Sequence, residues 1–172
     1  MSSTREADEG LVASLLDLVR VSSFYGDEKP LCDALEARLV ARLGRARVAR
    51  HGDSIVGWLC DRAVRSERPR VGLVGHLDVV RTAHSRDPRV EADRLYGPGA
   101  ADMKSGLALM LDVLEMASYD ALAFDVVLVF YAREEGPFAD NELGPLLDAM
   151  PDVAALDLAV CLEPSDNKLQ LG

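Results

Sequence analysis

His76 and Asp78 in GHLDVV, Asp102 in GAADMKS, the adjacent Glu134 and Glu135 in AREEG, and Glu163 in CLEPSD are the residues of this chain whose types suit metal chemistry. One imidazole among several carboxylates, with no thiolate, suits zinc and also cobalt or manganese, and a zinc site with an open position is catalytic rather than structural. Each residue also has an ordinary reading. His76 could be a hydrogen-bonded core histidine, Asp102 the N-cap of a helix that starts directly after it, Glu163 a turn residue before Pro164, and the glutamate pair a strand leaving the core for water. Their common placement favours chemistry. His76, the glutamate pair and Glu163 each follow an apolar run of strand length, VGLVG, VVLVFY and LAVCL. In open α/β sheets ligands sit beyond the carboxyl ends of the strands. If these strands are parallel neighbours, the acidic groups gather at one sheet edge and repel one another unless a cation sits among them.

The elements that must hold these residues can be read from apolar periodicity. Helical spacing runs over residues 8–21, and again from Leu31 to Leu43 between Pro30 and Gly44. Short strands are expected at Arg47–Arg50 and Ile55–Leu59 around the turn His51-Gly52-Asp53, followed by an Arg-rich polar loop, Asp61–Pro69. A buried strand is expected at Val71–Val80, then a polar loop to Arg94, a helix over Met103–Met116, a buried strand at Val126–Tyr131, a helix near Asn141–Ala149 and a buried strand at Leu158–Leu162. The closing LQLG reads as the start of one more strand. Alternating strands and helices predict the α/β class, with a three-layer open, mixed and largely parallel sheet covered by helices on both faces.

The 172 residues suffice for a single core, and their formal charge of -10 argues against nucleic acid or an anionic membrane as partner, since both are bound through Lys and Arg. No stretch approaches the ~18 apolar residues of a membrane span. Cys32, Cys60 and Cys161 are odd in number and widely spaced, which speaks against a disulfide framework and fits a reducing cytoplasm. Cys60 and Cys161 lie in apolar runs and are expected to be buried and inert. GPGAAD has Asp102 where a dinucleotide fingerprint needs its third glycine, and GAADMKS lacks the glycine before Lys104 that a phosphate loop needs, so nucleotide binding is disfavoured.

In order and spacing, GHLDVV, LYGPGAADMKSG, AREEG and CLEPSD resemble the dinuclear zinc amidohydrolases that include succinyl-diaminopimelate desuccinylase, acetylornithine deacetylase and related carboxypeptidases. The resemblance covers Leu11 to Gly172, and EEGPFADNELGPLL with CLEPSDNKLQLG is most similar to the desuccinylase branch. It implies that His76 binds one metal with Asp78 orienting its ring, that Asp102 bridges two metals, that Glu163 completes the first site, that Glu135 binds the second metal, and that Glu134 is the general acid/base. The Gly136-Pro137 corner is expected to let both glutamates reach one cleft. The implied cofactors are two divalent ions, zinc or cobalt, and the implied substrate is a small N-acyl amino acid. A cis peptide is expected at Asp102-Met103. Members of this family run to roughly twice this length, with a lid domain used for dimerisation and a late histidine ligand. The resemblance therefore implies that residues 1–172 are the N-terminal part of the catalytic domain, with one complete metal site, catalysis largely lost and apolar surface left exposed. Neither His51 nor His84 is expected to replace the late histidine.

Overall fold

The computed structural model describes residues 2–64, 67–82, 87–116, 118–119, 121–166 and 168–171; His84 lies outside them. Helix α1 (Ser2–Arg20) and helix α2 (Lys29–Leu43) lead into the antiparallel strands β1 (Val48–His51) and β2 (Ser54–Trp58). Strand β3 (Arg70–His76) follows, then a separate two-stranded hairpin, β4 (Arg89–Glu91) and β5 (Arg94–Tyr96). Helix α3 (Lys104–Leu114), strand β6 (Asp125–Tyr131), helices α4 (Leu143–Ala149) and α5 (Pro151–Ala154), and strand β7 (Leu158–Cys161) complete the order. The main sheet runs β1-β2-β6-β3-β7, with β6, β3 and β7 parallel and β1 and β2 antiparallel.

Strand β6 shows why this sheet forms. Alternate side chains of a strand point to opposite faces, and here Val126, Leu128 and Phe130 join Leu18, Leu35, Leu39, Leu107 and Leu111 in the core beneath α1, α2 and α3. Val127, Val129 and Tyr131 join Val56, Trp58, Leu146 and Val153 beneath α4 and α5. All seven residues of β6 are buried, as a strand covered on both faces must be. The chain steps from β3 to β6 on one side, then from β6 back past β3 to β7 on the other. With crossovers of one hand, opposite steps put α3 and the α4–α5 pair on opposite faces, and the crevice opens beyond the end of β3. The expected three-layer open mixed sheet is the observed one.

Five expectations differ from the structure. Helix α1 begins earlier than residue 8, because apolar periodicity marks only the part of a helix that packs. The hairpin β4–β5 falls inside the expected polar loop: its strands have three residues each and are largely charged, so they carry no alternation. Strand β7 is exposed rather than buried, lying at the sheet edge, and Leu158 is 56% accessible. Residues 168–171 form no strand, and Leu169 and Leu171 stand in solvent. The exposed thiol is Cys161, also against expectation, while Cys60 is half-buried; the fully buried thiol is Cys32, which burial pushes up to about 12. No helix of the described residues is long and apolar enough to cross a membrane.

Lys104, the first residue of α3, is buried, and its Nζ donates to the main-chain carbonyls of Leu18 at 3.1 Å and Val21 at 2.8 Å, where α1 ends. Burial draws its ammonium down to about 8. Between that value and the ordinary lysine value of ~10.4 the unfolded chain holds more protons than the folded one, so stability rises with pH across this window. From about pH 7.5 to about pH 9.5 the wild type should gain roughly 2 kcal/mol relative to Lys104→Met, read as the difference between their urea unfolding free energies at each pH.

Candidate metal centre

Strand β3 ends at His76, whose ring is 1% exposed. Its Nδ1 lies 2.8 Å from the carbonyl oxygen of Asp78, which can only accept, so Nδ1 donates there, and in the neutral ring it is Nε2 that turns a lone pair to the crevice. Around Nε2 stand Asp102 Oδ1 at 3.3 Å, Glu163 Oε1 at 3.7 Å and Glu134 Oε2 at 4.0 Å. One donor atom each of His76, Asp102 and Glu135 all lie within 4.8 Å of one another, forming a group able to hold a metal ion. The parallel register accounts for this gathering. His76 is level with Tyr131 on β6, and Val74 with Cys161 on β7, so the residues just beyond these strands share one edge.

Asp102 reaches the cluster from the loop before α3, through a cis Asp102-Met103 peptide, as expected. The capping position of α3 is Met103, and no side chain caps that end, which removes the N-cap reading of Asp102. Gly99 makes the loop possible. It has φ +72°, and a Cβ there would lie 2.2 Å from a methyl of Val79. Gly106 does the same for β7: a Cβ on it would meet the main-chain oxygen of Leu162 at 2.7 Å, so a larger residue would push away the segment that carries Glu163.

The expected corner is present, and a second turn precedes it. The chain bends at Glu135 and Gly136 and also before the glutamates, where Arg133 has φ 64°, and Gly136 lies close against the ring of Tyr25. Glu134 N–H donates to Asp78 Oδ1 at 2.9 Å and Glu135 N–H to Asp78 Oδ2 at 2.8 Å. The carboxylate of Asp78 is 3.7 Å from His76 Nδ1, so the ring is held by the carbonyl of Asp78 rather than by its carboxylate. From the other side, Glu142 accepts from Asp53 N–H and the Ser54 hydroxyl, and Ser54 Oγ accepts from Ala132 N–H, bracing the end of β6 against the β1–β2 turn. No local pattern marks Ser54, Glu142 or Gly106, since their partners are distant in sequence.

Burial, with repulsion from Asp102 and Glu134, raises Glu135 above the usual carboxylate range against the pull of His76, and the same causes raise Glu163. A buried imidazole whose Nε2 faces carboxylates that repel one another fits a divalent cation in donor type and charge. A cleft of about 490 Å³ adjoins the cluster, lined by Asp102, Glu135, Gly97, Val79, Tyr96 and Arg89 among others.

Known proteins are similar to this chain in sequence. A Mycobacterium tuberculosis protein named as a succinyl-diaminopimelate desuccinylase is 35% identical over 162 residues, which are 94% of this chain and 43% of that protein. The succinyl-diaminopimelate desuccinylase of Corynebacterium glutamicum is 35% identical over 157 residues, 90% of this chain and 42% of that one. The chain thus spans less than half the length of either relative. Among solved structures, an M20 family metallo-carboxypeptidase of Sulfolobus solfataricus superposes with a TM-score of 0.68 at 17% identity, covering 88% of this chain and 37% of that one, which speaks for the fold. Residues 72–171, the stretch holding His76, Asp102, Glu134, Glu135 and Glu163, match the family described as Peptidase family M20/M25/M40, and the chain belongs to that family.

Proposed function

We propose that these residues form the N-terminal part of the catalytic domain of a cytoplasmic, metal-dependent amide hydrolase, with N-succinyl-LL-2,6-diaminopimelate as its substrate and lysine and diaminopimelate biosynthesis as its setting. The observation that carries the reading is the buried His76 imidazole, its Nε2 turned to Asp102, Glu134 and Glu163 at the shared end of the parallel strands. The names of the relatives support the choice of acyl group. In this reading His76, Asp102 and Glu163 hold one divalent ion, and Asp102 and Glu135 belong to a second, zinc or cobalt. Bound metal would supply Lewis-acid polarisation of the amide carbonyl and a water of lowered pKa.

The chain's own residues do the rest. Glu134, 39% exposed and 4.0 Å from Nε2, stands at the mouth of the cluster, where its carboxylate can take a proton from attacking water and return it to the departing amine nitrogen. The C–O bond forms first by addition of water to the amide carbon, the C–N bond then breaks as the nitrogen receives that proton, and succinate and the free amine leave. The adjoining cleft offers space for the acyl amino acid. Pairing of two subunits through a lid domain belongs to the same proposal.

An assay of a form spanning the full length of the relatives, on N-succinyl-diaminopimelate and N-acetylornithine in parallel, tests the substrate. We expect kcat/KM at least about tenfold higher for the succinyl compound, a difference of ~1.4 kcal/mol in transition-state binding. The reverse preference would point to an acetylornithine deacetylase, and no hydrolysis of either would leave a metal-binding protein.

A further inference from the structure

We propose that the carboxylate of Asp78 is a positioning group for the Glu134–Glu135 corner, and that on the Nδ1 side the His76 ring is oriented by the main-chain carbonyl of Asp78. The inference rests on the hydrolase reading for what the corner does, and on geometry for how it is held. Both oxygens of this carboxylate are engaged: Oδ1 takes Glu134 N–H at 2.9 Å and Oδ2 takes Glu135 N–H at 2.8 Å. The left-handed Arg133 at φ 64° precedes them, and two successive amides aimed at one anion form a backbone nest. The Asp78 side chain is 0% exposed, so no water replaces an acceptor that is lost.

Each oxygen of the carboxylate already accepts one of these amides, and Oδ1 stays 3.7 Å from His76 Nδ1, beyond hydrogen-bond reach. The ring does not need the carboxylate, because the Asp78 carbonyl already accepts from Nδ1 at 2.8 Å. One residue therefore joins two strand ends. Its main chain sets the imidazole at the end of β3, and its side chain sets the glutamates beyond β6. Substitutions that spare the carbonyl should disturb the glutamates and leave the histidine in place.

Scalar couplings across hydrogen bonds, read in the metal-free chain labelled with 15N and 13C, test this directly. In the wild type we expect couplings from the Glu134 and Glu135 amide nitrogens to Asp78 Cγ, and from His76 Nδ1 to the Asp78 carbonyl carbon. Asp78→Asn offers one acceptor oxygen where two are used. At least one glutamate amide should then exchange about tenfold faster or more, equivalent to ~1.4 kcal/mol of lost protection, while the His76 Nδ1 coupling persists. A merely structural role would loosen both ends together. A wild-type coupling from His76 Nδ1 to Asp78 Cγ, or glutamate amides without coupling to Cγ, would overturn the proposal, and this wild-type measurement decides even if the variant does not fold. The readout needs neither metal nor turnover. Loss of the hydrolase reading with these couplings intact would remove the corner's purpose and keep its geometry.

Discussion

Replacing His76 by alanine should weaken Zn²⁺ or Co²⁺ binding at least about a hundredfold, or ~2.7 kcal/mol, in a competition titration against a chromogenic chelator. Nε2 is the nitrogen ligand of the cluster, and in the neutral ring the Asp78 carbonyl, accepting from Nδ1, directs the lone pair to it. Without it, binding falls to carboxylates that are far less confined, with Asp102 56% and Glu163 42% exposed, and their mutual repulsion has lost its fixed counterpoint. Circular dichroism should show that the fold survives, since the β3–β6 register continues through Val71 to Gly75 without the imidazole. An affinity within about threefold of the wild type would mean that the metal, if bound, is held elsewhere.

Glu134→Gln should lower hydrolysis by about 10²–10⁴-fold in any form of the protein that turns over substrate, with metal affinity changed by less than about threefold. The substitution keeps the Glu134 N–H that Asp78 accepts, and it keeps the length and shape of the side chain. It removes the capacity to carry a proton, together with one negative charge at the mouth of the cluster. Asp102 Oδ1 stands at 3.3 Å from Nε2 and Glu134 Oε2 at 4.0 Å, so Asp102 is the better placed to hold an ion and Glu134 to act beside one. Parallel loss of metal and of activity would instead make Glu134 a ligand. The two substitutions therefore separate holding the ion from moving the proton.

The strands β3 and β6 and the helices α2 and α3 were legible because each buries a regular face. Val126 to Tyr131 is apolar on both sides of the strand, and Leu31, Leu35 and Leu39 return to one side of a helix, all of them buried. The hairpin β4–β5 and the exposed edge strand β7 were less legible, because a short charged hairpin and a sheet edge leave weak or misleading marks on periodicity.

The residue types of the centre, and the strand ends that carry His76, Glu134, Glu135 and Glu163, were determined by the amino-acid sequence itself, since apolar runs followed by donor groups place those donors at sheet termini whatever the neighbours are. Only the tertiary structure decided who holds whom. The turn at Arg133, the two amides on Asp78, the carbonyl behind His76, the Ser54–Glu142 brace and the contact of Gly106 with Leu162 all depend on strand order and register. Partners brought together from Asp78 and Glu134, or from Ser54 and Glu142, are separated by 56 and 88 residues, and periodicity over a dozen residues carries no information at that range.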